Sequence, residues 1–251
     1  MSKFLTLLGR EVKSFFYSPI GYVVLVFFLF SSGFTFFTVV EALNHQAADI
    51  TVFEGFLLIV PFWWVFVLVF PLITMRSFAE EYKMGTIETL MTSPVRDGQV
   101  VLAKFFGILI FYIVLWLPSL LYFAGFEWLT KTNAAGATGA YWASYLLMLL
   151  VGMFYISIGC LASVLTSNQI IAAVISFVVI TFLFFSGIWG DRLLTVSSQM
   201  RDLFAYFSTY EHMMTFSKGV IDTRPIVFYL TMTTLMLVLT HHVFQSRKWK
   251  F

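Results

Sequence analysis

The groups that could catalyse or bind a metal are four histidines, one cysteine and thirteen acidic residues. Their spacing does not favour either chemistry. His45 and His212 stand alone, and the His241-His242 pair lies near the C-terminal end, where no Cys or further His joins it. Cys160 sits alone in an apolar stretch, so no intrachain disulfide or Cys-rich metal site can form, and it reads as a small buried hydrophobe. There is no GxxxxGK[ST], HExxH or GxSxG pattern. Catalytic, cofactor-binding and metal-ligating residues are therefore assigned nowhere in the chain. Polar chemistry is concentrated instead in one stretch, RSFAEEYKMGTIETLMTSPVRDGQVVLAK, from Arg76 to Lys104. Arg76, Glu80, Glu81 and Lys83 continue a preceding helix, which Gly85 breaks. Thr86 is placed to cap a second short helix, with Glu88 in its first turn, where the helix dipole favours an acid. Ile87, Leu90 and Met91 give that helix apolar side chains that nothing obvious in the chain covers. Ser93-Pro94 ends it, and Asp97 can cap the next helix. A capped helix with uncovered apolar residues fits docking into another protein; a solvated turn lying on the membrane is the plainer reading.

The segments that hold this stretch must be lipid-embedded. The 251 residues are 60% hydrophobic and 11% charged, against roughly 25% charged in a soluble domain. A net charge of +2 gives no reason to expect nucleic acid. Six windows without Asp, Glu, Lys or Arg have the roughly 20 residues a spanning helix needs: 19–40, 56–75, 105–126, 141–166, 169–190 and 225–244. An all-α, polytopic membrane protein forming one domain over 1–251 is expected. The N-terminus does not read as a signal peptide, because its basic residues are spread out and the apolar run after Pro19 is too long.

Lys and Arg set the orientation. With the N-terminus inside, Lys3, Arg10, Lys13, Arg76, Lys83, Arg96, Lys104, Arg247, Lys248 and Lys250 are internal. Only Lys131, Arg192, Arg201, Lys218 and Arg224 are external. Both termini are expected inside. Trp128, Trp142 and Trp189 then mark the outer boundary and Trp249 the inner one, while Trp63, Trp64 and Trp116 lie deeper, for helix packing or for stacking a substrate. Pro61, Pro71 and Pro118 fall inside expected spans and are candidate kinks, serving packing or gating.

Residues 2–17 form a basic amphipathic helix, with Phe4, Leu5, Leu8, Val12, Phe15 and Phe16 on one face and Lys3, Thr6, Arg10, Lys13 and Ser14 on the other. Such a helix lies in the membrane surface. It anchors the chain, touches an internal partner, or both. The outer segment 191–224 repeats Leu203, Phe204, Phe207 and Tyr210 at helical spacing, as a surface-lying helix or a re-entrant one. Gly159, Ser163 and Ser167 form a row of small residues suited to helix packing. The spans carry no carboxylate, which argues against ion-driven transport.

The run RSFAEEYKMGTIETLMTSPVRDGQVVLAKFFG resembles the signature of ABC-2-type permeases, carried here by Arg76, Glu80, Glu81, Gly85, Thr86, Glu88, Leu90, Ser93, Pro94, Lys104, Phe105 and Gly107. The C-terminal stretch and the six-span layout extend the resemblance over nearly the whole chain. It is most similar to the branch with the gliding-motility and copper-enzyme-maturation permeases. The resemblance implies a type V exporter-like fold in the bacterial inner membrane. It implies a homo- or heterodimer of permeases above two ATP-binding subunits that hold ATP and Mg, with no catalysis in this chain. Residues 77–94 would be the coupling helix, 2–17 the elbow helix, and the second and fifth spans the lining of a substrate path. Two further readings stand beside export: a mechanotransmission or assembly subunit acting on a partner with a periplasmic domain, and an intramembrane enzyme, which no nucleophile–base pair supports.

Overall fold

A computed structural model describes residues 2–45, 50–87, 95–131, 134, 136, 138–192, 204 and 206–248. The described residues are helical with no strand: α1 (Ser2–Tyr17), α2 (Pro19–His45), α3 (Val52–Leu58), α4 (Val60–Thr74), α5 (Ala79–Met84), α6 (Asp97–Thr130), α7 (Thr138–Leu165), α8 (Gln169–Arg192), α9 (Thr209–Ser217) and α10 (Thr223–Lys248). Six segments are long and apolar enough to cross a membrane, at Pro19–His45, Pro61–Met84, Asp97–Thr130, Gly139–Leu165, Gln169–Gly187 and Thr223–Arg247. The protein is a multi-pass, all-α membrane protein.

α7 is the central post. Its span is 83% buried, against 28% for α2 and 22% for α10, and it packs on α4, α6, α8, α9 and α10. Lipid competes with apolar side chains inside a membrane, so helices associate through close packing and polar contacts rather than hydrophobicity. Gly159 shows this. A Cβ built there would overlap Thr74 Oγ1 and lie 2.5 Å from its Cβ, so only glycine lets α4 come this close to α7. Around them runs an aromatic core. Trp116 stands 5.2 Å from Phe28, 5.9 Å from Phe66 and 6.0 Å from Phe62, by ring centroids. Trp63 is buried in the same core, whereas Trp64 is half exposed and lies against Phe185 at 4.6 Å.

The second span differs from the sequence expectation of 56–75. Pro61 has no N–H and disfavours helix before it. The chain breaks at Ile59 (ψ 109°), and Pro61 opens α4 instead of kinking it. Residues before the break form the separate helix α3, started by a capping box in which Thr51 Oγ1 accepts from Glu54 N (3.1 Å) and Glu54 Oε2 accepts from Thr51 N (3.0 Å). Trp63 Nε1 donates to the Leu57 carbonyl at 2.7 Å, serving a backbone group near the break. At its other end the span continues past Met75 through a turn into α5. α6 is 34 residues long, about 51 Å, and so reaches beyond a hydrocarbon core of about 30 Å. It starts one residue earlier than a cap at Asp97 requires. Arg96 is the N-cap, its N–H given to Gln99 Oε1 at 3.3 Å, and Asp97 sits in the first turn.

Candidate functional site

The polar stretch singled out in the sequence folds where α4 breaks into α5. The turn Met75–Phe78 leaves backbone groups that a membrane cannot hydrate. One hydroxyl from α7 serves them. Ser163 Oγ accepts from Phe78 N and Ala79 N, both at 3.0 Å, and donates to Met75 O at 3.1 Å. Ser163 is buried, whereas Ser167 is exposed beyond the end of α7.

The break aims the charges of α5 back into the chain. Arg76 Nε and Nη2 fork onto the two Glu80 oxygens at 2.7 Å each, and Nη1 reaches Ser18 Oγ between α1 and α2 at 2.9 Å. Glu81 Oε1 accepts from Lys104 Nζ of α6 at 2.8 Å. Lys104 also lies 3.5 Å from Glu11 of α1 and beneath the Phe78 ring. Arg10 closes the cluster, 2.9 Å from Glu11 and 3.4 Å from Glu81. Lys104 is only 3% exposed. A charge that deep persists only with partners, and removing one leaves the others uncompensated. The cluster therefore ties α1, α5 and α6 into one unit. α10 joins through Arg247, which lies over the Tyr82 ring and bonds the Leu165 carbonyl.

Glu80 and Glu81 are thus turned onto Arg76 and Lys104. Ile87, expected to be uncovered, is 3% exposed and joins this chain's own core. Gly85, at φ 70°, ends α5 in the left-handed region that favours glycine. Lys83, Met84 and Thr86 around it are exposed. Glu88, Leu90, Met91, Ser93 and Pro94 lie outside the described residues, as do Trp249 and the side chain of Trp189. On α1, Lys3 and Lys13 are exposed. Its inward face carries Leu7, Phe15 and Phe16, with Phe15 stacked on Phe111 at 4.9 Å. Glu11, which the sequence reading passed over, stands on that face, and so does its contact with Lys104. The available signal was an acid four residues from both Leu7 and Phe15, on the apolar side of a basic helix.

At the opposite end, α9 starts inside the bundle. Thr209 Oγ1 meets the Tyr155 hydroxyl, more than halfway along α7, at 2.7 Å, and accepts from Tyr229 Oη of α10 at 3.1 Å. Past the other end of α9, Gly219 lies against Ala140 at the head of α7. α9 therefore climbs from the interior of the bundle back toward its rim. Ser208 caps it by accepting from Glu211 N at 3.4 Å, and Ser186 Oγ donates to Phe204 O at 3.1 Å. The six apolar windows of the sequence carry no acid, but this fold brings Glu211 and His212 alongside the spans, which the sequence argument against ionisable groups did not foresee. His212 Nδ1 pairs with Tyr229 Oη at 3.0 Å. Burial pushes its imidazole down to about 4, against a smaller opposing pull from Asp222.

Thr209→Val keeps the shape and leaves the Tyr155 hydroxyl, at 0% exposure, without its partner. A loss of about 1–3 kcal/mol is expected, read as a lower unfolding midpoint in detergent. An unchanged midpoint would show that α9 is held by packing alone.

Residues 5–249 match the family described as ABC-2 family transporter protein. The chain belongs to the ABC-2 transporter family. No curated protein matches it by sequence. As an ABC-2 permease it is the membrane component of a transporter, and its family implies association with ABC ATP-binding subunits. For an ABC-2 permease the arrangement at the α1 end is mechanically apt. The Glu81–Lys104–Glu11 contacts link α5 to both α1 and α6. Trp128 and Trp142, 80% and 74% exposed, ring the opposite end, where indole favours a membrane–water boundary.

Proposed function

We propose that this permease takes the stroke of separate ATP-binding subunits, which hold ATP and Mg, at the α1 end, and converts it into export of a substrate. The buried Lys104 shared by Glu81 and Glu11 carries this reading, because it makes α1, α5 and α6 move together. Residues 83–94 are the docking surface, with Lys83, Met84, Gly85 and Thr86 at its described edge. Lys3, Arg10 and Lys13 place α1 as the elbow helix on the same side. Both termini face the cytoplasm of a bacterial inner membrane, in keeping with the concentration of Lys and Arg at this end. Two permeases, identical or not, pair through the faces of α4 and α8 that leave Trp64, Leu68, Val178 and Phe182 exposed. A substrate path between them is closed at the far end by α9.

The second reading is a mechanotransmission or assembly subunit in the gliding-motility branch, whose output is a partner with a periplasmic domain. The motif resemblance favours that branch. The burial of Thr209, Met213 and Phe216 of α9 inside the bundle favours a gate over an external output surface.

Charge reversal at Glu80 and Glu81 is a poor test of docking, since Glu81→Lys would face a second ammonium onto Lys104. Single cysteines at Met84 and Thr86, both exposed, are the better probe. They are expected to cross-link to a co-expressed ATP-binding subunit, whereas cysteines at Trp128 and Trp142 are not. Labelling of both pairs alike would sink the docking assignment. ATP hydrolysis stimulated by a candidate substrate supports export; hydrolysis indifferent to substrate, with cross-links from α9 to a periplasmic protein, supports the second reading.

A further inference from the structure

α10 is the least buried of the six spans, yet both of its ends are tied. At the α1 end, Arg247 lies 4.7 Å over the Tyr82 ring of α5. The same guanidinium donates to the carbonyl of Leu165, the last residue of α7, a group that a helix terminus leaves without an intrahelical partner. Phe244, 1% exposed, meets Phe78 at the α4–α5 break, ring centroids 5.7 Å apart. His241 lies against Gly98 in the first turn of α6. At the far end, Tyr229 Oη donates to Thr209 Oγ1 and pairs with His212 Nδ1, on the first and fourth residues of α9. Phe228 beside it meets Tyr206 and Phe207, just before α9, edge-on at 5.5 and 5.6 Å.

Between these ends α10 is a plain rod. Residues 226–247 contain no Gly or Pro, the usual causes of a kink. Tyr229 and Arg247 are separated by about 27 Å of helix, close to the depth of a hydrocarbon core. The buried hydroxyls of Thr233 and Thr240 bond carbonyls of α10 itself, and Met232 and Met236 beside them are adaptable apolar contacts. Among the described residues, the side-chain hydrogen bonds from α10 to other helices come from Tyr229 and Arg247. Apolar contact alone drives little association in lipid, so the polar ends fix the tilt of this helix more than its shaft does.

We propose that α10 is the rod that couples the α4–α5 break to α9 across the membrane, with Arg247 and Tyr229 as positioning residues at its two ends. This rests on the reading that the α1 end receives the stroke and that α9 closes the far end. A shift of α5 carries Phe244 and Arg247, the rod tilts without bending, and Tyr229 draws on the start of α9. The charge cluster that joins α5 to α1 and α6 is a separate branch from the same short helix.

The test is hydrogen–deuterium exchange on the full chain alone in detergent, with no ATP-binding subunit and no substrate. Arg247→Gln removes the charge at one end. Amides of α9 are expected to exchange about fivefold faster, the lower end of the usual coupling between distant sites. Residues 35–45 of α2, which reach the same end of the bundle but pack on α3, α4 and α6, are expected to keep their rates. Tyr229→Phe keeps the ring and removes the hydroxyl. It is expected to speed exchange in α5 by a similar factor, because coupling between two sites is reciprocal. In either variant, a change that is absent or confined to the altered end overturns the proposal, and so does an equal rise in residues 35–45, which reports general loosening. If Arg247→Gln does not fold, Tyr229→Phe decides alone. Cross-linking at Met84 and Thr86 reads the docking end separately, so loss of this link and loss of the docking assignment give different results.

Discussion

Lys104→Met is expected to cost about 3–5 kcal/mol of stability, the usual penalty for breaking a buried ion pair from one side. The side chain is of similar length, so packing is nearly kept. What changes is that Glu81 and Glu11, with side chains 19% and 14% exposed, lose the cation between them. Arg10 can compensate only in part, because it approaches from the exposed side. Denaturant titration in micelles, followed by the fluorescence of the seven tryptophans, reads the effect. A double-mutant cycle with Glu81→Gln isolates it: removing the acid as well is expected to recover part of the loss, because the two residues share one interaction. A loss below about 1 kcal/mol in Lys104→Met, or strict additivity with Glu81→Gln, would mean that the cluster behaves like a surface salt bridge. The rigid link from α5 to α1 would then have no energetic basis.

Ser163→Ala is expected to cost about 2–4 kcal/mol, because its hydroxyl serves two buried N–H groups and each orphaned donor costs roughly 1–3 kcal/mol. Phe78 and Ala79 are both 0% exposed, so water does not replace the hydroxyl cheaply. Ser157→Ala is the matched control. Ser157 lies on the same helix and is equally buried, but its Oγ donates to the Phe154 carbonyl of its own helix at 2.6 Å. That is back-bonding to a carbonyl already within the helix, and its loss is expected to stay below about 1 kcal/mol. The difference between the two alanine variants measures what the α4–α5 break requires from α7. Equal effects would show that the break satisfies itself. Faster amide exchange at Phe78 and Ala79 in Ser163→Ala, with the remainder of α7 unchanged, would locate the loss at the break.

Both predictions concern contacts invisible to local pattern. A helix cap or stop is decided within about four residues. Gly85 was legible as a helix stop for the same reason, and it does stop α5. Glu81 was legible only as part of a helix continuing past the second span; its buried partner Lys104 is 23 residues away. Pro61 was placed correctly as a break but assigned to the middle of a helix, since hydropathy runs straight through residues 56–75 and does not register the turn at Ile59.

The amino-acid sequence alone determined that this chain lives in a membrane, crosses it six times, carries an amphipathic helix at its start and shares the ABC-2 signature. Those properties are local sums: apolar length, helical periodicity, and residue order within a thirty-residue run. Only the tertiary structure decided which polar groups meet. Glu11 and Lys104 are 93 residues apart, Ser163 and Phe78 are 85 apart, and Tyr155 and Thr209 are 54 apart. The physical reason is the solvent. In lipid, a polar group that finds no water must find another polar group, and which one it finds depends on how the helices are stacked rather than on its neighbours along the chain.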